Sequence, residues 1–264
     1  MESFRFSVSP FTRELKVEER YRLDFLETEV QELKRIVEAR SSGALVAPAG
    51  SGKTVVLRGL RALLPEARHQ VIYLPLADLS ARDMCRQVAV ALGMPPIGHY
   101  PALVAALGDH LKQGYQTKGM RQVVIIDDAH EMRHEVLRLL KLLTNFEMDS
   151  RLVVSIILVG QLPLKAKLLH PDLEDIRQRL AHCGELRLLN RDEATGYIEH
   201  RVRIAGLTIS PFSDGAKDAL FEVTRGNMRA IDRLSLAALE VSAAGNRDRV
   251  EASDVAVARS KRWM

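Results

Sequence analysis

The chain contains a glycine-rich segment at residues 47–54, with the sequence APAGSGKT, between an apolar run and a helical pattern. A loop that joins a strand to a helix points backbone N–H groups and the positive end of the helix at one place, which favours a phosphate group. We predict a phosphate-binding loop in which Lys53 reaches the β- and γ-phosphates of a nucleotide and the Thr54 hydroxyl ligates Mg²⁺. The predicted nucleotide-binding residues of this loop are Ala49, Gly50, Ser51, Gly52, Lys53, Thr54 and Val55.

The first residue of the loop departs from the usual pattern. Ala47 stands where glycine is the consensus residue, and alanine is tolerated there provided that its φ is not positive. Gly50 and Gly52, which let the backbone approach a phosphate closely, are both present. The alternative is that a glycine-rich turn joins a strand to a helix here by chance, without binding a ligand.

A second motif is the β-branched run Val123–Ile126, which ends in Asp127 and Asp128. Such a run is typical of a central parallel strand that is covered on both faces, and we interpret it as a Walker B strand. At its carboxyl end, Asp127 is predicted to hold Mg²⁺ together with Thr54, and Asp128 to orient or deprotonate the attacking water. The alternative for Asp128 is that it caps the helix that follows.

Length and composition are those of an ordinary soluble globular protein. The 264 residues, 47% of them hydrophobic, suffice for one α/β domain and a small helical one. The chain has neither an apolar run of about 18–20 residues nor the pattern of a secretory signal, so we expect a cytoplasmic protein that does not enter a membrane. We predict that Cys85 and Cys183 are reduced and structural. The net charge of +4 is compatible with nucleic acid binding but is weak evidence for it.

Strand and helix patterns alternate up to Asn190 and predict a parallel sheet with helices on both faces. Only helical patterns follow. The predicted domains are an N-terminal arm and helix at 1–42, a nucleotide-binding core at 43–189 and a helical lid at 190–264. The predicted strands are Ala44–Ala47, Val71–Leu74, Val123–Asp127, Val153–Val159 and Glu185–Leu188. The predicted helices are 21–40, Val55–Leu64, Ala81–Leu92, Pro101–Gln113, Glu131–Phe146, Leu173–Ala181, Arg191–Ala205, Ser213–Thr224, Met228–Ala244 and Ala252–Arg259.

The order of the motifs resembles that of an AAA+ ATPase over nearly the whole chain. The resemblance rests on the phosphate loop, the Walker B strand, a strand ending in LVGQ at 158–161, RQR at 177–179 and a lid opening on GNMR at 226–229. It implies an α/β fold of the AAA+ P-loop NTPase type, in which helices flank a parallel sheet and an all-helical lid follows. It also implies ATP and Mg²⁺ as cofactors, and hydrolysis that oligomerisation stimulates. Many relatives have glutamate at the position of Asp128, which is one methylene shorter, so we expect hydrolysis to be slow.

Four segments resemble, more narrowly, the branch that contains ExeA and the transposition-associated ATPases of the TnsC, TniB and MuB kind. They are 139–147, 160–164, 176–180 and 191–198. The chain departs from the pattern of this branch at three positions. Ala47 replaces glycine, Asp128 replaces the more frequent glutamate, and Met228 stands where proline is frequent.

The resemblance also implies roles for four side chains. Gln161 would be a sensor that hydrogen-bonds the γ-phosphate or its water, and Arg229 would point from the lid toward the phosphates. Arg179 or Arg177 would be an arginine finger that contacts the nucleotide of a neighbouring subunit. The alternatives are a strand cap for Gln161, a solvated helix residue for Arg229 and a salt-bridged or solvated pair for the two arginines.

The resemblance leaves three functions open. The first is a transposition regulator that binds double-stranded DNA in its ATP form, assembles as a ring or helical filament and recruits or activates a transposase until hydrolysis releases it. Its contacts would be with DNA phosphates and of low sequence specificity. The others are an ExeA-like secretion or pilus-assembly ATPase and a nucleotide-switched adaptor that hardly hydrolyses ATP. The candidate DNA-contacting positions are Arg82, Arg86, His99, Tyr100, Lys112, Lys118 and the basic tail 259–264.

Overall fold

The computed structural model describes residues 4, 6–12, 14–75, 78–95, 98–144 and 154–261, and of residues 115–118, 139 and 141–144 it describes the backbone only. These residues form two compact units. The sheet unit comprises Phe25–Ala47 and Val56–Leu186. The helical unit comprises the described residues before Phe25, the segment Pro48–Val55 and the described residues from Arg187 onward.

The sheet unit contains a five-stranded parallel sheet whose strands lie in the order β2-β3-β4-β1-β5. Strands β1, β3 and β4 lie inside the sheet and are rich in Val, Ile and Leu, because both of their faces are covered. The strands are β1 (Ser42–Val46), β2 (His69–Leu74), β3 (Arg121–Ile126), β4 (Val154–Gly160) and β5 (Leu180–Glu185).

Helices on the sheet complete the core of this unit. Alternate strand residues such as Ile72, Val124 and Ile156 share one buried cluster with Met84 and Leu107 from the helices. Burial of this apolar surface supplies most of the free energy that holds the unit together. The helices are α1 (Asp24–Glu38), α2 (Lys53–Leu63), α3 (Ala81–Ala91), α4 (Tyr100–Lys118), α5 (His134–Thr144), α6 (Pro163–Leu168) and α7 (Glu174–Arg177).

The helical unit is built on four further helices, and the first three of them have polar caps at their starts. Asn190 and Glu193 form a reciprocal capping box at the first of these helices. Ser213 and Asn227 cap the second and third through their side-chain oxygens. The helices are α8 (Arg191–Ile204), α9 (Asp214–Thr224), α10 (Met228–Ala244) and α11 (Ala252–Lys261).

The predicted fold class is confirmed, and most predicted elements recur with each bound shifted by at most three residues. Helix α4 continues to Lys118, whereas its end was predicted at Gln113. The last strand and the helix before it were placed wrongly. The strand lies at Leu180–Glu185 and pairs with β1, whereas Glu185–Leu188 was predicted; the helix ends at Arg177. Ile176 and Leu180 have the i, i+4 spacing of a helix, but the chain after Arg179 is extended by pairing with β1.

Two smaller differences concern short elements. The segment after β3 first forms a 3₁₀ turn at Ala129–Glu131, and α5 begins only at His134. Helix α6, which starts at Pro163, was not predicted because it is a short element. The predicted helix end at Phe146 and strand start at Val153 lie outside the described residues, and the predicted domain boundaries stay a prediction. Within the described part of the chain, no helix combines the length and apolarity needed to cross a membrane.

Candidate nucleotide-binding site

The glycine-rich loop has the backbone geometry of an anion cradle. It follows the last residue of β1 and continues directly into α2, which begins at Lys53. Gly50 and Gly52 have φ values of 73° and 106°, whereas Ala47 is not among the described residues with positive φ. Successive residues of this kind turn N–H groups toward one point, where the helix dipole adds positive potential. Ala47 is therefore compatible with the loop, as the sequence predicted.

The carbonyl oxygen of Pro48 stabilises the loop by accepting three hydrogen bonds from other loop residues. It accepts hydrogen bonds from the Ser51 N–H at 3.4 Å and from the Ser51 hydroxyl at 2.8 Å. The Lys53 ammonium donates to the same oxygen at 3.3 Å. Ser51 is fully buried, whereas the Thr54 side chain is exposed. The loop is thus a self-contained structure that leaves the Thr54 hydroxyl open to solvent, as a metal ligand must be.

The start of α10 is bonded to the outer side of this loop, within the helical unit. The Asn227 side-chain N–H₂ donates to the Ala49 carbonyl at 2.7 Å, and the Met228 N–H donates to the Gly50 carbonyl at 3.0 Å. The Asn227 oxygen meanwhile accepts the Ala230 N–H at 3.1 Å and so caps the helix. One asparagine therefore fixes both the helix start and the loop. The sequence placed the helix start correctly, but the contact of Asn227 with the loop could not be inferred from residue spacing.

Arg229 lies two residues beyond Asn227 and is exposed. It belongs to the first turn of α10, the helix that is bonded to the loop. Its predicted direction toward the phosphates of a nucleotide stays a prediction.

In the sheet unit, Asp127 follows β3 with both carboxylate oxygens occupied by donors. Its Oδ1 accepts the backbone N–H of Asp128 at 2.9 Å, and its Oδ2 accepts the Tyr73 hydroxyl at 2.7 Å. Burial and this hydrogen bond raise the pKa of Tyr73, so the phenol remains a donor at neutral pH. Tyr73 was not among the predicted site residues, because no motif marks it in the sequence.

Asp128 has a left-handed backbone, with a φ of 50° and a ψ of 32°, and its side chain is exposed. Non-glycine residues rarely adopt this conformation, and it is concentrated at functional sites. The alternative that Asp128 caps the following helix is wrong, because its side chain makes no capping bond to the 3₁₀ turn. The Asp128 carboxylate is therefore not used for capping.

Gln161 directly follows β4, which is the neighbour of β3 in the sheet. Because the strands are parallel, Gln161 and Asp127 lie at the same edge of the sheet. The end of β4 is packed tightly there, since a Cβ on Gly160 would lie 3.1 Å from the His130 backbone nitrogen. The Lys167 ammonium also donates to the carbonyls of His130 and Met132, at 2.5 and 2.6 Å. The backbone after Asp128 is thereby held by α6.

The two candidate arginine fingers lie near edge strand β5. Arg177 is exposed in the last turn of α7, with its guanidinium 3.6 Å from the Glu174 carboxylate. Arg179 is half-buried in the turn that leads into β5. The ion pair is the alternative considered for Arg177, and pairs of this exposure contribute little to stability. The arginine-finger role of either residue stays a prediction.

The residues predicted to hold Mg²⁺ and a nucleotide triphosphate carry donors of the right chemical type, and their joint role stays a prediction. Mg²⁺ prefers oxygen ligands, and the Thr54 hydroxyl and the Asp127 carboxylate are of that type. The loop with positive φ at Gly50 and Gly52 suits phosphate oxygens, and Lys53 adds a positive charge to it. When bound, Mg²⁺ would neutralise the charge of the phosphate oxygens.

A family model described as an AAA domain matches residues 35–168, which is more than half of the chain. The chain belongs to the AAA domain family. The matched range includes the glycine-rich loop, Asp127, Asp128 and Gln161, so the resemblance to AAA+ ATPases stated from the sequence is confirmed at this level. The narrower resemblance to the TnsC, TniB and MuB proteins stays a prediction.

The AAA domain protein is also similar to General secretion pathway protein A of Aeromonas hydrophila. The two are 28% identical over 216 residues, which cover 81% of this chain and 39% of that protein. The chain thus spans about two fifths of the length of this curated relative. The predicted similarity to the ExeA side of the branch agrees with this finding.

Several solved structures share the fold. Cdc6p from Pyrobaculum aerophilum has a TM-score of 0.71 at 18% identity, over 95% of this chain and 70% of that one. Drosophila ORC bound to DNA has a TM-score of 0.60 at 16% identity, over 97% of this chain and 63% of that one. The Thermotoga maritima RuvB Holliday junction branch migration motor has a TM-score of 0.62 at 18% identity, with 95% and 73% covered. At these identities the comparisons establish the fold alone.

Proposed function

We propose that this protein is a Mg²⁺-dependent ATPase that binds double-stranded DNA in its ATP form, assembles there as a ring or helical filament, and recruits or activates a transposase. ATP hydrolysis releases the assembly. The observation that carries the proposal is the bonding of the glycine-rich loop to the start of α10 through Asn227 and Met228. It supplies a direct mechanical link between the element that binds phosphate and a helix of the lid.

Through these hydrogen bonds, phosphate binding at the loop changes the conformation of the helical unit. Loop N–H groups face the phosphates, while the Ala49 and Gly50 carbonyls are bonded to α10. Any adjustment of the loop to a triphosphate is transmitted to α10 through these two bonds. A ligand shifts a conformational equilibrium only as far as its affinities for the two conformations differ. ATP and ADP must therefore favour different conformations of the loop. Lys53 is the residue that distinguishes them, since it reaches the γ-phosphate.

In this proposal the residues that follow the carboxyl ends of the inner strands supply most of the groups needed for hydrolysis. Thr54 and Asp127 hold Mg²⁺, Asp128 orients or deprotonates the attacking water, and Gln161 contacts the γ-phosphate or that water. Arg179 or Arg177 of one subunit acts on the nucleotide of its neighbour, so hydrolysis depends on assembly. The exposed positions of Asp128 and Arg177 support these roles, because both groups are open to solvent and to a partner.

Contacts with DNA are assigned to basic side chains on the sheet unit. Arg82 and Arg86 are one helical turn apart on α3 and are both exposed. His99 is also exposed, and Tyr100 and Lys112 are half-buried residues of α4. The side chain of Lys118 and the tail residues 262–264 lie outside the described residues. In this proposal the arginines contact DNA phosphates, and phosphate contacts carry no sequence information directly, which agrees with low sequence specificity.

The second candidate is a secretion ATPase that acts on a protein partner, because General secretion pathway protein A is similar over 81% of this chain. The two candidates differ in what the ATP form binds. A secretion ATPase has no need of an ATP-dependent complex with DNA, so the same binding experiment separates them.

The deciding experiment measures binding of a labelled DNA duplex by fluorescence anisotropy, with ATP, ADP or no nucleotide, over a range of salt concentrations. We expect binding with ATP only, weakening steeply with salt because phosphate contacts release counterions. Lys53→Ala should lose ATP binding and therefore DNA binding. If ATP binds but no DNA complex forms even at low salt, the transposition proposal is wrong and the secretion candidate gains. If no nucleotide binds, both candidates fail.

The arginines of α3 can be tested in the same assay. We expect Arg82→Ala/Arg86→Ala to lower the slope of log K against log salt by about two, since each phosphate contact contributes about 0.9. ATP binding should be unchanged. The matched control is Arg61→Ala/Arg68→Ala, which removes the same charge from exposed positions at the end of α2 and the turn after it. Equal slopes in the two double variants would show that α3 does not contact DNA.

A further inference from the structure

Tyr73 and Asp127 are brought together by the register of the sheet. Strand β2 pairs with β3 so that Tyr73 lies beside Ile125. Side chains on one strand alternate between the two faces, so Asp127, two residues beyond Ile125, lies on the same face as Tyr73. The Asp127 N–H is bonded to the Leu74 carbonyl at 2.9 Å, which continues the pairing to this point. The tyrosine hydroxyl therefore reaches the carboxylate from a fixed backbone position.

Burial in the core does not explain the position of the Tyr73 ring. It is 48% exposed on edge strand β2, and its hydroxyl donates to the Asp127 carboxylate at 2.7 Å. The Asp128 N–H donates to the other carboxylate oxygen of Asp127. Each of the two oxygens thus accepts one hydrogen bond, and the two bonds restrict rotation of the carboxylate. Each carboxylate oxygen keeps a second lone pair, so both bonds can persist while the carboxylate binds a cation.

We propose that Tyr73 is a positioning residue for Mg²⁺ binding, whose hydroxyl holds the Asp127 carboxylate in the orientation that the cation requires. This inference rests on the proposed ATPase function and adds a residue to it. A carboxylate that is already oriented loses less rotational freedom when it binds the ion, so the site binds Mg²⁺ more tightly. Partners that orient metal ligands typically change metal affinity by about 10–100-fold when they are removed.

The test compares the affinity for a fluorescent ATP analogue in excess Mg²⁺ and in EDTA. The ratio of the two dissociation constants is the factor by which Mg²⁺ tightens nucleotide binding. In Tyr73→Phe we expect this factor to fall about tenfold, with the affinity in EDTA unchanged. Tyr197→Phe is the matched control, since it removes a hydroxyl that also donates to a carboxylate, that of Asp232 at 2.8 Å in the helical unit, and it should leave the factor as in the wild type.

A second measurement separates positioning from damage to the fold. Asp127→Asn removes the carboxylate on which Tyr73 acts, so adding Tyr73→Phe to that variant should change the Mg²⁺ factor no further. A purely structural effect of Tyr73→Phe would lower the Mg²⁺ factor in the wild type and in Asp127→Asn alike, and it would also lower the thermal unfolding midpoint. That result would contradict the proposal.

The possible results also distinguish this inference from the function on which it rests. If wild type binds the analogue and Lys53→Ala does not, while Tyr73→Phe keeps the wild-type Mg²⁺ factor, only the role of Tyr73 is wrong. A larger factor in Tyr73→Phe would overturn it as well, since the hydroxyl would then compete with the cation. If wild type binds no nucleotide in either condition, the ATPase proposal fails first.

Discussion

Replacing Gly50 with alanine is expected to weaken ATP binding by about 100-fold, which corresponds to about 2.7 kcal/mol. Two effects add at this position. The φ of 73° is a left-handed conformation that costs an alanine about 1–2 kcal/mol. A Cβ there would also lie 2.1 Å from the Asn227 side-chain oxygen, so the loop or the start of α10 must move. Equilibrium titration with a fluorescent ATP analogue measures the loss.

The chain offers a control that separates the two effects. Gly93 has a similar φ of 77°, but a Cβ there would meet nothing within 4 Å. Gly93→Ala should therefore lower stability by about 1–2 kcal/mol in chemical denaturation and leave ATP binding unchanged. In the double variant Gly50→Ala/Asn227→Ala, removal of the asparagine side chain should restore part of the ATP affinity. If Gly50→Ala binds ATP as wild type does, the loop does not hold the phosphates.

The parts of the fold that could be predicted are those that local patterns determine. The β-branched runs gave β3 and β4, and the cap residues Asn190, Ser213 and Asn227 agree with the helix starts that were predicted. Strand β5 was misplaced because edge strands have one free side and need less apolar sequence, so its pattern LAHCGE resembles neither a buried strand nor a helix. Pairing with β1, a long-range effect, decides its position.

The same division applies to the candidate site. The glycine-rich loop and the two aspartates were found because their chemistry needs a fixed order of neighbouring residues. Tyr73 and Asn227 were missed as functional residues because each acts on a residue distant in the sequence, Asp127 and Ala49 respectively. Only strand register and the fold of the helical unit bring these partners together. No spacing within the chain could have indicated either contact.

Asp128→Asn is expected to lower the rate of ATP hydrolysis by about 10²–10⁴-fold while ATP affinity stays close to that of the wild type. Asparagine is the suitable replacement, because it tolerates the left-handed backbone at this position and has nearly the same shape. The change thus removes the charge and the proton acceptor without straining the turn. Single-turnover measurement of phosphate release, in parallel with analogue titration, separates the chemical step from binding.

The matched control is Glu131→Gln, an amide replacement of an exposed acid at the end of the 3₁₀ turn that follows Asp128. It should leave the hydrolysis rate within about threefold of the wild type, since a surface charge one turn away acts through screened electrostatics only. If the proposed switch is correct, Asp128→Asn also remains on DNA after ATP binding, because the step that releases it is blocked. A wild-type hydrolysis rate in Asp128→Asn would show that this aspartate does not activate the water. Asp128→Asn that hydrolyses no ATP but leaves DNA as fast as wild type would separate release from hydrolysis and overturn the switch.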